Sequence, residues 1–301
     1  MWVKFLDEVL RTPDERKALM EMIGYSFMPT SKRERYVILK GAGANGKSVV
    51  LRLVTELVGR AAVTTVPLSK LDEASYVDML AGKLVMLVPE MGEHDFSKDA
   101  SLKALVSGDL MIAAAKYARQ YTFHPFATVW ASVNVMPHSR DTSVATARRQ
   151  LVLPMLTNFE RDERRDVDLS KKLMAELPGI MRMALEAYAD VILSGRFTNP
   201  ASSLELIEEQ REIDDPVTDW WRNCCQLVDG GLKVVKSKMP TVAEMYDSYT
   251  MYCKNTGIKH NVAGRTKLMA RLRQAPFGVS FGVTNRGVTA LNLTLILGDF
   301  E

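Results

Sequence analysis

The chain has 301 residues, 47% hydrophobic and 25% charged, with 39 Lys/Arg against 36 Asp/Glu for a net charge of +3. That balance excludes a largely disordered chain, and no uncharged apolar run approaches the ~20 residues that a membrane-spanning helix needs. Three cysteines, two of them adjacent at Cys224 and Cys225, cannot build a disulfide framework; four scattered histidines lack zinc spacing, and the first residues lack a signal-peptide pattern, so a reducing cytoplasm is the expected compartment.

Thr12 is a candidate N-cap, Pro13 suits the first helical position, and Asp14 and Glu15 favour the positive helix end. Leu19, Met22, Ile23 and Phe27 then recur at helical spacing, so residues 1–34 are expected to form a helical N-terminal segment. Tyr36 to Leu39 reads as a short apolar strand, followed by a glycine-rich loop and an apolar helix over Val49 to Val58 that Gly59 can end. Leu84 to Val88, stopped by Pro89, and Ala127 to Val133 read as further strands. Strands alternating with helices predict a mainly parallel α/β sheet. Leu102 to Phe123 holds more than a simple crossover, and helices are expected over Leu169 to Ser194. Gly, Asn, Pro and Ser cluster from Gly195 to Ser203, which divides a core over 35–200 from a C-terminal part over 201–301.

That last part opens on an acidic stretch, then an aromatic helix with Trp220 and Trp221. Thr241-Val242-Ala243-Glu244 is a capping box opening the next helix, and Asn261 to Gln274 reads as a basic helix. Val279 to Val283, a turn at Asn285-Arg286-Gly287, and Val288 to Leu297 read as a β-hairpin. Residues 230–301 carry ten Lys/Arg and four Asp/Glu, a net +6, whereas the rest of the chain carries −3. Such asymmetry fits either a nucleic-acid-binding appendage or a solvated basic face.

Gly41-Ala42-Gly43-Ala44-Asn45-Gly46-Lys47-Ser48 fits G-x-x-x-x-G-K-[ST], with a strand before it and a helix after it. In such a loop Gly41, Gly43, Ala44, Asn45 and Gly46 let backbone N–H groups close around phosphate oxygens, and the helix points its positive end at them. Lys47 would reach the β- and γ-phosphates of ATP, and Ser48 would ligate Mg²⁺. Glu90, at the end of the second strand, is placed to accept a proton from a hydrolytic water or to join the Mg²⁺ shell; Glu93 is the nearest alternative.

Further motifs follow in order: Leu102 to Asp109, reading L-K-x-L-x-x-G-D; the pair Lys116-Tyr117; a strand running into Asn134; and Arg148-Arg149 ahead of an apolar strand ending at Pro154. This succession resembles the superfamily 3 helicases, in particular the helicase half of phage and plasmid primase–helicases. Ser107-Gly108-Asp109 stands where that family has G-G-D, and Ala115 where it often has a basic residue. The resemblance implies an AAA+ type P-loop NTPase core over 35–200, using ATP and Mg²⁺. It implies a homo-oligomer, a hexameric ring, that moves 3′-to-5′ on single-stranded DNA and unwinds forked DNA in phage or plasmid replication. Asn134 then becomes the polar sensor that orients the attacking water. Lys116 and Tyr117, with Lys103, become contacts to single-stranded DNA on a hairpin. Arg148 or Arg149 becomes an arginine finger reaching the neighbour's γ-phosphate. In the tail, Arg265, Lys267, Arg271 and Arg273 interleave with Leu268, Met269 and Leu272, and a hairpin bearing Arg286 follows; this resembles a C-terminal winged-helix domain gripping duplex phosphates. The family's primase or polymerase half is absent here, so the chain is expected to be either a fragment of a longer protein, with that half as a fused N-terminal domain, or a stand-alone helicase that works with a primase or polymerase partner. Two rival readings are a P-loop motor for another task such as DNA packaging, and a non-enzymatic origin-binding or loading module.

Overall fold

Five short parallel strands, most of them apolar runs, frame the N-terminal part of the chain. The computed structural model describes residues 1–90, 99–139, 141–160, 166, 168–227, 239–258, 261–274, 277–290 and 293–295. These fall into two compact units, Met1–Gln210 and Arg211–Glu301.

The first unit runs α1 (Trp2–Val9), α2 (Pro13–Tyr25), β1 (Tyr36–Lys40), α3 (Lys47–Val58), β2 (Val63–Thr65), α4 (Ala74–Val77), β3 (Val85–Val88), α5 (Asp99–Ser107), β4 (Met111–Ala113), β5 (Tyr121–Phe123), β6 (Thr128–Val133), α6 (Val144–Ala147), β7 (Gln150–Pro154), α7 (Leu169–Met174), α8 (Leu177–Ser194) and α9 (Ala201–Ile213). Strands β2, β3, β6, β1 and β7 pair in that order, all parallel. A parallel sheet is covered on both faces, so its strands read as unbroken apolar runs rather than alternating ones. Alternate residues then serve opposite cores. Val37, Leu39, Trp130, Leu151 and Leu153 pack with α1, α2, α3 and α8. Tyr36, Ile38, Val129, Ala131 and Val152 pack on the other face with Leu102, Leu105 and Ile207.

The expected cap on α2 is present: Thr12 Oγ1 accepts from Glu15 N, and the Glu15 carboxylate accepts from Thr12 N. Two carboxylates of α2 are nearly fully buried, Glu15 and Glu21. Glu21 accepts from Thr198 N at 2.8 Å and Thr198 Oγ1 at 2.7 Å in the α8–α9 loop, and Glu15 accepts from Ser202 Oγ at 2.6 Å in the first turn of α9. That loop does not end the unit. Ser203 Oγ accepts from Val152 N, and Ile207 enters the second core, which carries the unit past the Gly195–Ser203 cluster. Gly195, at φ 76°, simply caps α8. The stretch from Leu102 to Phe123 resolves into α5 and the antiparallel hairpin β4–β5.

The second unit holds α10 (Pro216–Cys224), β8 (Cys225–Leu227), α11 (Val242–Asn255), α12 (Arg265–Leu272), β9 (Phe281–Thr284), β10 (Gly287–Ala290) and β11 (Leu293–Leu295). Its core gathers Trp220, Met245, Tyr249, Leu268, Leu272 and Phe277, with Trp220 edge-on to Tyr249 at 5.7 Å. Thr241 and Glu244 form the expected capping box. The basic helix is shorter than expected, because Asn261 takes φ 53° and Gly264 becomes the N-cap. β9 and β10 pair as a hairpin, but its expected second arm is broken: β11 pairs with β8 instead. Cys224, Cys225 and Cys253 are buried free thiols. Among the described residues no helix is long and apolar enough to cross a membrane.

Candidate functional site

The glycine-rich segment links the C-terminal end of β1 to α3. Gly43, Ala44 and Gly46 adopt φ 120°, 46° and 89°, so the chain reverses tightly before the helix begins. Cross-links hold this shape. Gly41 N donates to Val133 O at 3.0 Å, Asn45 Nδ2 donates to Met155 O at 2.8 Å, and Phe159 N donates to Ala44 O at 2.9 Å. A Cβ at Gly41 would collide with Asn45 Nδ2 and Met155 O, so only glycine fits there. No side chain caps α3. Its first amides are therefore left to an anion at the positive helix end.

Lys47 is 7% exposed. Its ammonium donates to Gly41 O and, at 3.1 Å, to Asn134 Oδ1. Burial lowers its pKa. Asn134 and Glu90 follow the C-terminal ends of β6 and β3, the two strands beside β1 on that flank of the sheet. Gly43 through Ser48, Glu90 and Asn134 thus line one cavity of about 480 Å³. It opens at the carboxyl ends of the strands, where α/β sheets bind their ligands. Ser48 and Glu90 offer hard oxygen donors to a Mg²⁺ that takes its other ligands from phosphates and water. No cluster of three His, Cys, Asp or Glu side chains able to hold a metal exists among the described residues. Glu93 lies outside the described residues.

The cavity is also lined by residues far in sequence from the motifs, Phe5 and Glu8 of α1, then Phe159, Asp166 and Leu169. Only the bare Cα of Gly46 hints at them, since a Cβ there would meet the Phe5 ring at 2.9 Å. Asp166 is engaged by Lys172 at 2.6 Å, which lowers its pKa.

Arg148 and Arg149 are not on this cavity. They precede β7, whose first residue pairs with the first residue of β1, so they stand at the amino ends of the parallel strands. The Arg149 side chain is 8% exposed and fixed by Glu34 at 2.7 Å, Ser107 Oγ at 3.1 Å and Ala145 O at 2.5 Å. Arg148 is 64% exposed and meets Glu34 at 3.2 Å.

Lys116 and Tyr117 occupy the tip of β4–β5. Tyr117 is 96% exposed at φ 64°, and Lys116 Nζ lies 5.1 Å from its ring centre. The hairpin base is tied to the α4 region by Ala114 N to Ala74 O at 3.0 Å and Tyr121 OH to Asp78 at 2.8 Å. Lys103, on α5, pairs with Asp141 at 3.6 Å. Burial alone would raise the Asp141 pKa, but hydrogen bonds from Ser143 and Thr146, with Lys103 nearby, bring it down to about 2.

In the second unit Arg265, Arg273 and Arg286 line a cavity of about 470 Å³ beside the start of α11. Arg286 also pairs with Glu244, and Arg273 lies over the Phe281 ring. Lys267 is exposed elsewhere on α12. Arg271 differs: its guanidinium binds Asp215, the N-cap of α10, and stacks on Phe277.

A family of unknown function, DUF5906, matches residues 39–149, from the phosphate loop to the two arginines. A protein of Acanthamoeba polyphaga mimivirus, named "Putative helicase L207/L206", is 23% identical over 277 residues, 83% of this chain and 29% of that protein. The chain therefore spans less than a third of that relative. Among solved structures, the apo A form of the NrS-1 C-terminal region superposes with a TM-score of 0.56 at 10% identity, covering 97% of this chain and 74% of that one. A second structure of the region gives 0.56 at 11% identity. What these share with the present chain is the fold, a mixed α/β architecture around a parallel sheet.

Proposed function

We propose that the chain is an ATP-hydrolysing helicase motor of the superfamily 3 type, acting on single-stranded and forked DNA. One observation carries this reading: Lys47, Ser48, Glu90 and Asn134 line a single cavity at the carboxyl ends of three adjacent strands. In the proposed reaction the α3 amides and Lys47 hold the β- and γ-phosphates. Ser48 and Glu90 would hold a Mg²⁺, which would supply positive charge to offset that of the phosphates. Asn134 orients the attacking water, and Glu90 accepts its proton. Lys47 donates to Asn134 Oδ1, which puts the phosphate-binding cation and the sensor of this reading side by side.

No arginine of the chain lines the cavity among the described residues. A head-to-tail ring would supply Arg148 from the next subunit, and its exposure makes it the better finger than the buried Arg149. Lys116 and Tyr117 would touch single-stranded DNA, the cation on phosphate and the ring on sugar or base. The second unit, with its helix–strand–helix–helix–hairpin order and three converging arginines, would grip duplex as a winged helix. A hexameric ring, a primase or polymerase partner, phage or plasmid origin and a host-cytoplasm location belong to the same proposal.

Strand displacement on a forked duplex with ATP tests it, Glu90→Gln serving as a variant that binds ATP but hydrolyses it poorly. Displacement by the parent and none by Glu90→Gln is the expected result. ATP hydrolysis without displacement would point to a motor of another kind; DNA binding without hydrolysis would point to a loading module.

A further inference from the structure

The turn that feeds β1 is built around the two arginines. Glu34 adopts φ 47°. A long side chain holds such a backbone only where its surroundings over-determine it. The conformation brings one carboxylate oxygen, Oε2, to 2.7 Å from Arg149 Nη2 and 3.2 Å from Arg148 Nη2. The main chain of the pair is held from the same turn. Arg35 Nη1 donates to Arg148 O at 3.1 Å, and Tyr36 N donates to Arg149 O at 2.9 Å. Arg35 is itself fixed by Asn199 Oδ1 at 2.9 Å and by the face of Phe197. An exposed arginine beside a four-residue helix would otherwise sample many rotamers. Here its carbonyl and one edge of its guanidinium are both tied down, while the contact with Glu34 uses only one nitrogen of a group that carries five N–H donors.

We infer that Glu34 is a positioning residue for Arg148, aiming it at the nucleotide of a neighbouring copy of this chain. Buried Arg149 anchors the carboxylate, and the carboxylate orients Arg148. This gives the adjacent arginines separate duties, one structural and one reaching outward. The inference rests on the shared-site reading above.

Its test mixes two inactive chains. Arg148→Ala keeps an intact phosphate loop; Lys47→Ala keeps an intact finger. Co-purification of differently tagged chains establishes that mixed assemblies form. Returned ATP hydrolysis supports the shared site, and its absence in mixed assemblies overturns that site together with the role of Glu34. Given returned activity, Glu34→Gln is placed on one chain at a time. On the Lys47→Ala chain, which donates Arg148, it should lower the returned kcat about tenfold or more with KM for ATP unchanged. On the Arg148→Ala chain it should change nothing. Equal losses from both placements would make Glu34 a general support of the fold, and no loss from either would mean that Arg148 needs no aiming. Either result overturns the inference and leaves the shared site standing.

Discussion

Replacing Gly46 with alanine probes the tightest point of the candidate site. Gly46 adopts φ 89°, and a Cβ there would lie 2.9 Å from two carbons of the Phe5 ring. The left-handed backbone costs an L-residue about 1–2 kcal/mol. Phe5 is 3% exposed and belongs to the core shared by α1 and α3, so displacing its ring adds an overpacking cost of about 1–3 kcal/mol. Gly195 supplies the comparison. It sits at φ 76° with open space where a Cβ would go, so Gly195→Ala meets the backbone cost alone. Gly46→Ala should therefore be the less stable by about 1–3 kcal/mol, roughly 2–12 °C in Tm for a unit of this size. Thermal unfolding of both variants without nucleotide gives the difference. A double-mutant cycle with Phe5→Leu should show coupling of about 1 kcal/mol, because the smaller side chain yields to the new methyl. Gly46→Ala should also bind ATP more weakly than Gly195→Ala does, since the first amides of α3 move with it. Equal melting temperatures for the two alanine variants, or strict additivity with Phe5→Leu, would refute the idea that α1 presses on the phosphate loop.

Other consequences follow from the same geometry. Lys116→Ala and Tyr117→Ala should lower the ratio of DNA-stimulated to basal ATP hydrolysis; an unchanged ratio takes the hairpin tip off the DNA path. Arg265→Ala and Arg273→Ala should each make log affinity for duplex less steep against log salt by about 0.9. Arg271→Ala should instead lower the melting temperature of the second unit, because its guanidinium holds Asp215; identical slopes in all three variants would mean a merely solvated face. Asp141 has a folded pKa of about 2, below its ordinary 3.8. Its stabilisation is therefore full above the unfolded value and fades as pH falls through the interval between the two. The Tm gap between the parent and Asp141→Asn should be constant from pH 5 to 7 and close towards pH 2; a constant gap throughout would deny that the ionised form is what Ser143, Thr146 and Lys103 favour.

Where a signal was local, the sequence was readable. The runs Tyr36–Leu39 and Ala127–Val133 are strands because a doubly covered parallel strand tolerates no polar alternation. Thr12 and Thr241 announce their helices by reciprocal caps spanning three residues. The α1 helix gave no such notice: Met1 makes no side-chain cap, and eight residues show barely two turns of periodicity. The edge strand β2 is three residues, two of them threonines. The pairing of β11 with β8 joins Leu293 to Leu227 across an intervening subdomain, and no local pattern encodes it. Burial also separates what sequence treats alike. Arg148 and Arg149 are neighbours of one type, yet one faces solvent and the other lies beneath Glu34. Arg271 and Arg273 both belong to the basic run, yet two positions apart they lie on different sides of the helix end, and only Arg273 borders the basic cavity. Phe5, Phe159 and Leu169 meet at the cavity beside the glycine-rich loop only because three distant segments converge there.

The wiring of the phosphate loop has a consequence for biosynthesis. Asn45 finds its carbonyl acceptor at Met155, 110 residues further along the chain, and Ala44 receives its donor from Phe159. At about 5–20 residues per second a ribosome takes roughly 5–20 s to make that stretch. Until Val133 is made β1 lacks both flanking strands, and until Pro154 is made it still lacks β7. The motif therefore exists as sequence well before it exists as shape. A nascent chain halted before β7 leaves the edge of Val37, Ile38 and Leu39 unpaired.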